Sequence, residues 1–267
     1  MSAVVHRVTA HNDATASENR IHDDEVARQY GFAGGLVPGV TVYAYLTHPA
    51  AARWGPAWVS RGTMSARFAK PVYDGEPIEV RAGEGDDGAL DLTLVGADGG
   101  VRASGRATLP DVPGAAPDPA AFPQAPLPAS GNRRPASFAE LAPGRRLGSV
   151  ERTWTAVEAE SFLDAIGEDL DWYRSPPIAH PGWLVRGANS VLSRTVRLGP
   201  WIHVGSDGVH HGHVADGARV STRGCVADAY ERKGHKFVEL DVLVLADEQP
   251  VMSIRHVAIF EPRRITR

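Results

Sequence analysis

Cysteine is nearly absent: Cys225 is the one thiol in 267 residues. No intrachain disulfide framework can form, and a reducing compartment is expected. Positive charge is not in excess either. With 28 Lys and Arg against 32 Asp and Glu, the formal net charge is −4 and the pI about 6.3, so there is no basic face to invite nucleic acid or an anionic membrane. No apolar run approaches the roughly 20 residues of a membrane-spanning helix. The opening Met1-Ser2-Ala3-Val4-Val5-His6-Arg7 lacks the charged start and apolar core of a secretory leader. The expectation is a cytoplasmic protein with neither nucleic-acid nor membrane partners. What the chain does have is 43% hydrophobic content, enough for one large or two modest cores.

Proline is unevenly spread. Residues 110–143 hold nine of the 20 prolines and few large apolar side chains. Proline removes backbone donors and favours extended chain, so this stretch reads as a surface linker. It divides the chain into 1–109, a linker over 110–147, and 148–267. The flanking segments repeat one pattern. Each has an Asp-Gly turn, Asp74-Gly75 and Asp216-Gly217, followed by strands of period two: around 89–95 and 101–109 in the first, 237–244 and 251–260 in the second. Each also has an apolar helix starting abruptly after Pro-Gly, at 39–46 and 182–192. One apolar helix with a run of antiparallel strands, twice over, predicts a duplicated α+β architecture.

The segment Ser17-Glu18-Asn19-Arg20-Ile21-His22-Asp23-Asp24, continuing to Ala27, Gly31 and Phe32, and the later Lys70-Pro71-Val72-Tyr73-Asp74-Gly75 together resemble the signature of MaoC-like hydratases. The resemblance is clear over about 3–109 and weaker over about 150–260. It implies a double hotdog: two antiparallel sheets, each wrapped around a central helix and joined into one continuous sheet. It also implies hydration or dehydration of an acyl thioester presented by CoA or by an acyl carrier protein. No metal or resident cofactor is implied, CoA arriving as part of the substrate, and fused pairs could associate as a homodimer. In that chemistry a carboxylate and an imidazole hold water beside the double bond, while helix N–H groups receive the charge that develops on the thioester oxygen.

The expected catalytic set is therefore His22, Ser17 and Asn19. The expected oxyanion and substrate-binding set is Gly39, His180 and Gly182. Three departures from the family pattern stand out: Ser17 occupies the carboxylate position, Arg20 occupies that of a proline, and Pro38 replaces a histidine that often precedes the helix glycine. In the second half Glu168 falls at the carboxylate position and Tyr173 at the histidine. Ser17 and Asn19 are also residue types that bond turn backbone, and Asp23 and Asp24 suit the start of a short helix over 23–30. Thioester hydrolysis, another lyase reaction, or non-catalytic acyl binding are the alternatives. Elsewhere, His210, His211 and His213 read as an exposed strand end. His203, Ser206 and Asp207 lack the G-x-S-x-G elbow of a hydrolase triad.

Overall fold

The computed structural model describes residues 4–15 and 17–263. The first three residues, which belong to the leader reading, Ala16 beside the opening motif, and the last four residues lie outside the described part. Period-two segments form ten strands: β1 Val4–Thr9, β2 Thr63–Phe68, β3 Pro77–Glu84, β4 Leu90–Val95, β5 Val101–Thr108, β6 Arg146–Thr153, β7 Ile202–His210, β8 Arg219–Arg232, β9 His235–Ala246 and β10 Gln249–Glu261. Five helices accompany them: α1 Asp24–Gln29, α2 Gly39–Trp54, α3 Pro56–Arg61, α4 Ala156–Ile166 and α5 Pro181–Thr195. None is long and apolar enough to cross a membrane.

All ten strands belong to one antiparallel sheet. From a central β2–β7 seam the order is β5, β4, β3, β1 on one side and β10, β9, β8, β6 on the other, so both halves lay out the same five strands in the same way. The seam pairs Thr63 with Val209 through Arg67 with Gly205. Arg67 spans it, with Nη1 and Nη2 donating to the two carboxylate oxygens of Asp207 at 2.7 and 2.8 Å. Joining the halves here leaves β1 and β6 as the only edges of the described sheet, where two separate sheets would have four. The paired Asp-Gly turns recur, with Gly75 at φ 72° and Gly217 at φ 81°, a conformation glycine adopts without steric cost.

α2 and α5 lie against the sheet and against each other. A Cβ added at Gly182 would sit 2.5 Å from the Ala44 Cβ, so the glycine permits the close approach. Both helices outrun their expected ends. The apolar signal of α2 stops at Leu46, yet the helix continues through Thr47, His48 and Pro49, all buried, because Thr47 and His48 bond to the second half.

The linker needs a correction as well. Its first part is exposed, with Val112 77% accessible, and only two single 3-10 turns, Pro119–Ala121 and Ser130–Asn132, interrupt it. Its later part is not merely draped: Leu141 is fully buried, Leu127 packs over Gly148, and residues 146 and 147 already belong to β6. Leu127 thus fastens the strap to the second half at Gly148, and Leu141 sinks into the common core.

Candidate active site

His22 ends a single 3-10 turn, Arg20–His22, whose neighbour Ile21 is buried in a small cluster with Ala27 and Leu36. This cluster fixes the loop. Leu36 N donates to Ile21 O at 3.2 Å, and Asn12 Nδ2 donates to His22 O at 3.0 Å. Asp23 then caps α1 by accepting from Glu25 N and Val26 N, the dipole-favoured role expected of it.

The imidazole has a defined tautomer. Its Nδ1 lies 2.6 Å from Leu36 O, which can only accept, so Nδ1 carries the proton and Nε2 presents a lone pair. Burial pushes the His22 pKa below its usual 6.5 despite the Leu36 hydrogen bond and the charge of Asp13. At neutral pH the ring is therefore neutral and able to take a proton.

Ser17 and Asn19 both hold the loop, and Asn19 also reaches the reacting nitrogen, His22 Nε2. Asn19 Oδ1 accepts from Trp201 N at 3.1 Å, and its Nδ2 donates to Trp201 O at 2.9 Å and lies 3.2 Å from His22 Nε2. It thereby ties the first-half loop to the start of the second half's β7. Ser17 Oγ accepts from Asn19 N at 3.0 Å.

Two cavities meet at this loop. One, about 350 Å³, is polar and is lined by Asp13, Ser17, Arg133, Arg186 and Arg194 among others. The second, about 340 Å³, is lined largely by apolar residues including Phe32, Val37, Val42, Phe68 and Ile259. Asn19, His22, Pro38, Asn189 and Trp201 border both. The N-terminus of α2 opens at that shared border. Pro38 supplies no side-chain cap, and the first turn of this 16-residue helix, where the positive end of the dipole lies, borders both cavities, Gly39 lining the apolar one and Val40 the polar one. Gly39 must be small, since a Cβ there would meet His203 Nδ1 at 2.8 Å.

No protein-family model matches the sequence, and no curated protein is similar to it in sequence. Solved structures are similar along nearly the whole chain. A protein described as a MaoC domain protein dehydratase, from Chloroflexus aurantiacus J-10-fl, superposes with TM-score 0.65 at 12% identity, covering 98% of this chain and 95% of that one. A conserved hypothetical protein from Mycobacterium tuberculosis, described as having a double hotdog fold, gives 0.56 at 15% identity over 97% and 96%. The fold is a double hotdog. A Lactobacillus plantarum protein described as an oleoyl thioesterase shares it at TM-score 0.50 and 12% identity, over 98% of both chains.

The second half-site of this double hotdog is filled. His180 and Gly182, expected beside the substrate, do not join His22. His180 is buried as the cap of α5: its Nδ1 accepts from Gly182 N at 3.0 Å, and its Nε2 faces Thr47 Oγ1 at 3.1 Å. Thr47 Oγ1 already donates to Ala44 O at 2.7 Å, so His180 Nε2–H is the donor and the neutral tautomer is satisfied at both nitrogens. Burial keeps the His180 pKa below 6.5. The α5 N-terminus is thus closed where that of α2 is open.

Beside it, Glu168 Oε1 accepts from His48 Nδ1 at 2.9 Å and from Leu170 N at 3.0 Å, with His180 Nε2 3.7 Å from Oε2. Burial alone would raise this carboxyl, but those donors outweigh it and hold it well below the usual carboxylate range. Tyr173, at the family's histidine position, is fully buried against His180. His6, His48 and Asp169 bring potential metal-binding atoms within 4.8 Å of one another. The His6 and His48 rings nevertheless stack at 3.6 Å and 12°, which directs their in-plane lone pairs side by side rather than to one point.

Other histidine readings change too. β7 ends at His210, which is buried against Trp58 rather than exposed, while His211 pairs with Ser253 Oγ at 2.9 Å. His203 and Ser206 do bond, at 2.8 Å, and Ser206 Oγ is 3.0 Å from His256 Nδ1. Asp207 points to the opposite face, toward Arg67, so the three form no triad. Sequence reasoning missed Asp13, Arg186 and Asn189, which line the polar cavity.

Proposed function

We propose that this double hotdog adds water to, or removes it from, the double bond of an α,β-unsaturated acyl thioester, with His22 as the proton carrier. The observation behind this reading is the uncapped N-terminus of α2 opening at the border of the polar and apolar cavities, beside a neutral, oriented imidazole. The acyl chain suits the apolar cavity, and the polar arm of CoA or of a carrier protein suits the arginine-bearing one. The thioester oxygen accepts from the Gly39 and Val40 N–H groups, which gain most as the oxygen acquires enolate charge. His22 Nε2 takes a proton from water, held in register by the Leu36 carbonyl behind it. No metal or redox group enters these steps, and CoA is substrate rather than cofactor.

The fold likeness to a described MaoC domain dehydratase supports the reading. Ser17 at the carboxylate position, together with the likeness to a described oleoyl thioesterase, favours thioester hydrolysis as a second reading. Loss of enoyl absorbance from crotonyl-CoA and a longer enoyl-CoA, followed alongside free-thiol release, separates the two. Hydration is expected without thiol release, and His22→Ala should lower it about 10²–10⁴-fold while leaving the fold intact. Thiol release without hydration would favour the hydrolase. Hydration at the wild-type rate by His22→Ala would remove His22 from the chemistry.

A further inference from the structure

Hydration by one imidazole leaves two demands unmet. The attacking water must be oriented, and the imidazolium formed when it loses a proton needs an opposite charge nearby. Ser17 meets neither, since it has no carboxylate and its Oγ is bonded to Asn19 N.

Asp13, four residues upstream, projects a carboxylate into the polar cavity shared with Ser17, Asn19 and His22. Its position is enforced from both halves. Thr41 Oγ1, in the first turn of α2, donates to Oδ1 at 3.1 Å, and Arg186 Nη2 from α5 donates to Oδ2. Arg186 Nη2 also reaches Thr41 Oγ1 at 3.3 Å, and its guanidinium stacks 4.6 Å over the Phe162 ring of α4. The Asp13 side chain is only 15% exposed, and a carboxylate with two donors has acceptor sites to spare. The same cavity wall contains two further buried polar atoms without partners, Arg186 Nε and Asn189 Oδ1. A donor and an acceptor left open beside an anchored carboxylate form a polar pocket prepared for a small polar group.

We propose that Asp13 is the catalytic carboxylate of this site, binding the attacking water and countering the charge on His22, in place of the side chain absent at Ser17. The proposal rests on the hydratase reading. In the step, one O–H bond of water breaks and its proton goes to His22 Nε2. The water oxygen bonds to Cβ while its other hydrogen is donated to Asp13. The Cα=Cβ pair moves to give the enolate, whose oxygen is held at Gly39 and Val40. The Nε2–H bond then breaks, the proton bonds to Cα, and His22 is neutral again, so water has been added without net charge change. Asp13 also acts electrostatically on His22 in the resting protein, in the direction that raises its pKa.

The experiment compares the full-length wild type with Asp13→Asn, Asp13→Asn/Ser17→Asp and Asp13→Asn/Arg186→Gln, using crotonyl-CoA turnover and NMR titration of His22. Asp13→Asn should lower kcat about 10²–10⁴-fold, leave KM within a few-fold, and lower the His22 pKa. Ser17→Asp should restore part of kcat in that background. Asp13→Asn/Arg186→Gln removes the anion and its partner together; if Asp13→Asn alone does not fold, this variant decides, and it too should lose kcat. Wild-type kcat in either folded variant, with His22→Ala inactive, would overturn the Asp13 assignment and leave the hydratase reading standing. A wild-type protein that hydrates no enoyl thioester would remove both.

Discussion

Glu168→Ala should destabilise the protein strongly while sparing its chemistry. The carboxylate is 4% exposed and is held by His48 Nδ1 at 2.9 Å and Leu170 N at 3.0 Å. Truncation leaves both donors buried and unpaired and empties the space between α2 and the loop after α4. Each buried donor left unpaired costs about 1–3 kcal/mol, and in a chain of this size each kcal/mol lowers Tm by roughly 2–4 °C, so a fall on the order of 10 °C is expected at pH 7. Glu168→Gln keeps an acceptor for His48 and should lose less. The pH dependence follows from the direction of the shift. The folded-state pKa lies below the ordinary 4.5, so the stabilisation is complete above 4.5 and is lost as pH falls through the lower folded value. The gap in Tm between wild type and Glu168→Gln should therefore be steady from pH 7 to about 5 and narrow below about 4.5. Circular dichroism melts across that range, with crotonyl-CoA turnover alongside, test both parts. A Glu168→Ala protein melting within 2 °C of wild type at pH 7 would refute the argument, and a loss of turnover at temperatures where it stays folded would make the second half-site more than a strut.

Buried neutral histidines should make the fold acid-sensitive. Burial lowers His210 and His256 to about 3 and His203 well below 6.5, so stability is full above 6.5 and falls as the unfolded chain takes up protons below it; between pH 7.5 and 5.5 each contributes about 1.4 kcal/mol. Urea midpoints that do not move between these pH values would contradict that account. Cleavage in the exposed stretch around Val112 should leave the halves together, because the β2–β7 seam and the contact of α2 with α5 hold them. Size-exclusion elution of two separate folded fragments after limited proteolysis would show the seam to be weaker than its pairing implies.

Much of the architecture was legible because its signals are local. Pro-Gly at 38–39 and 181–182 marks two helix starts within one residue, and the Asn19-x-Ile21-His22 spacing marks a loop whose turn depends on near neighbours. Failures came where partners are distant in sequence. A histidine before Pro-Gly reads equally well as a pocket residue or as a cap, and only Thr47, 133 residues away, decides for the cap at His180. Asp13 carries no local pattern, and its meaning comes from Arg186, 173 residues away. His210 follows the alternation of β7 onto the buried face, but that face is defined by Trp58 from the other half.

The seam between β2 and β7 has a consequence for how such a molecule can change. In a dimer of identical hotdogs, any substitution appears at both sites, so a residue useful at one must be tolerated at the other. Here the halves are covalently one chain, and equivalent positions carry different side chains. Counting four residues from each helix glycine gives Tyr43 in α2, wholly buried, and Arg186 in α5, reaching across to Asp13. Pro38 leaves one helix start open while its counterpart is closed by a histidine. Fusion has released the two sites from symmetry: one keeps a cavity and a neutral, oriented imidazole, and the other is filled by bonded, buried side chains and braces it.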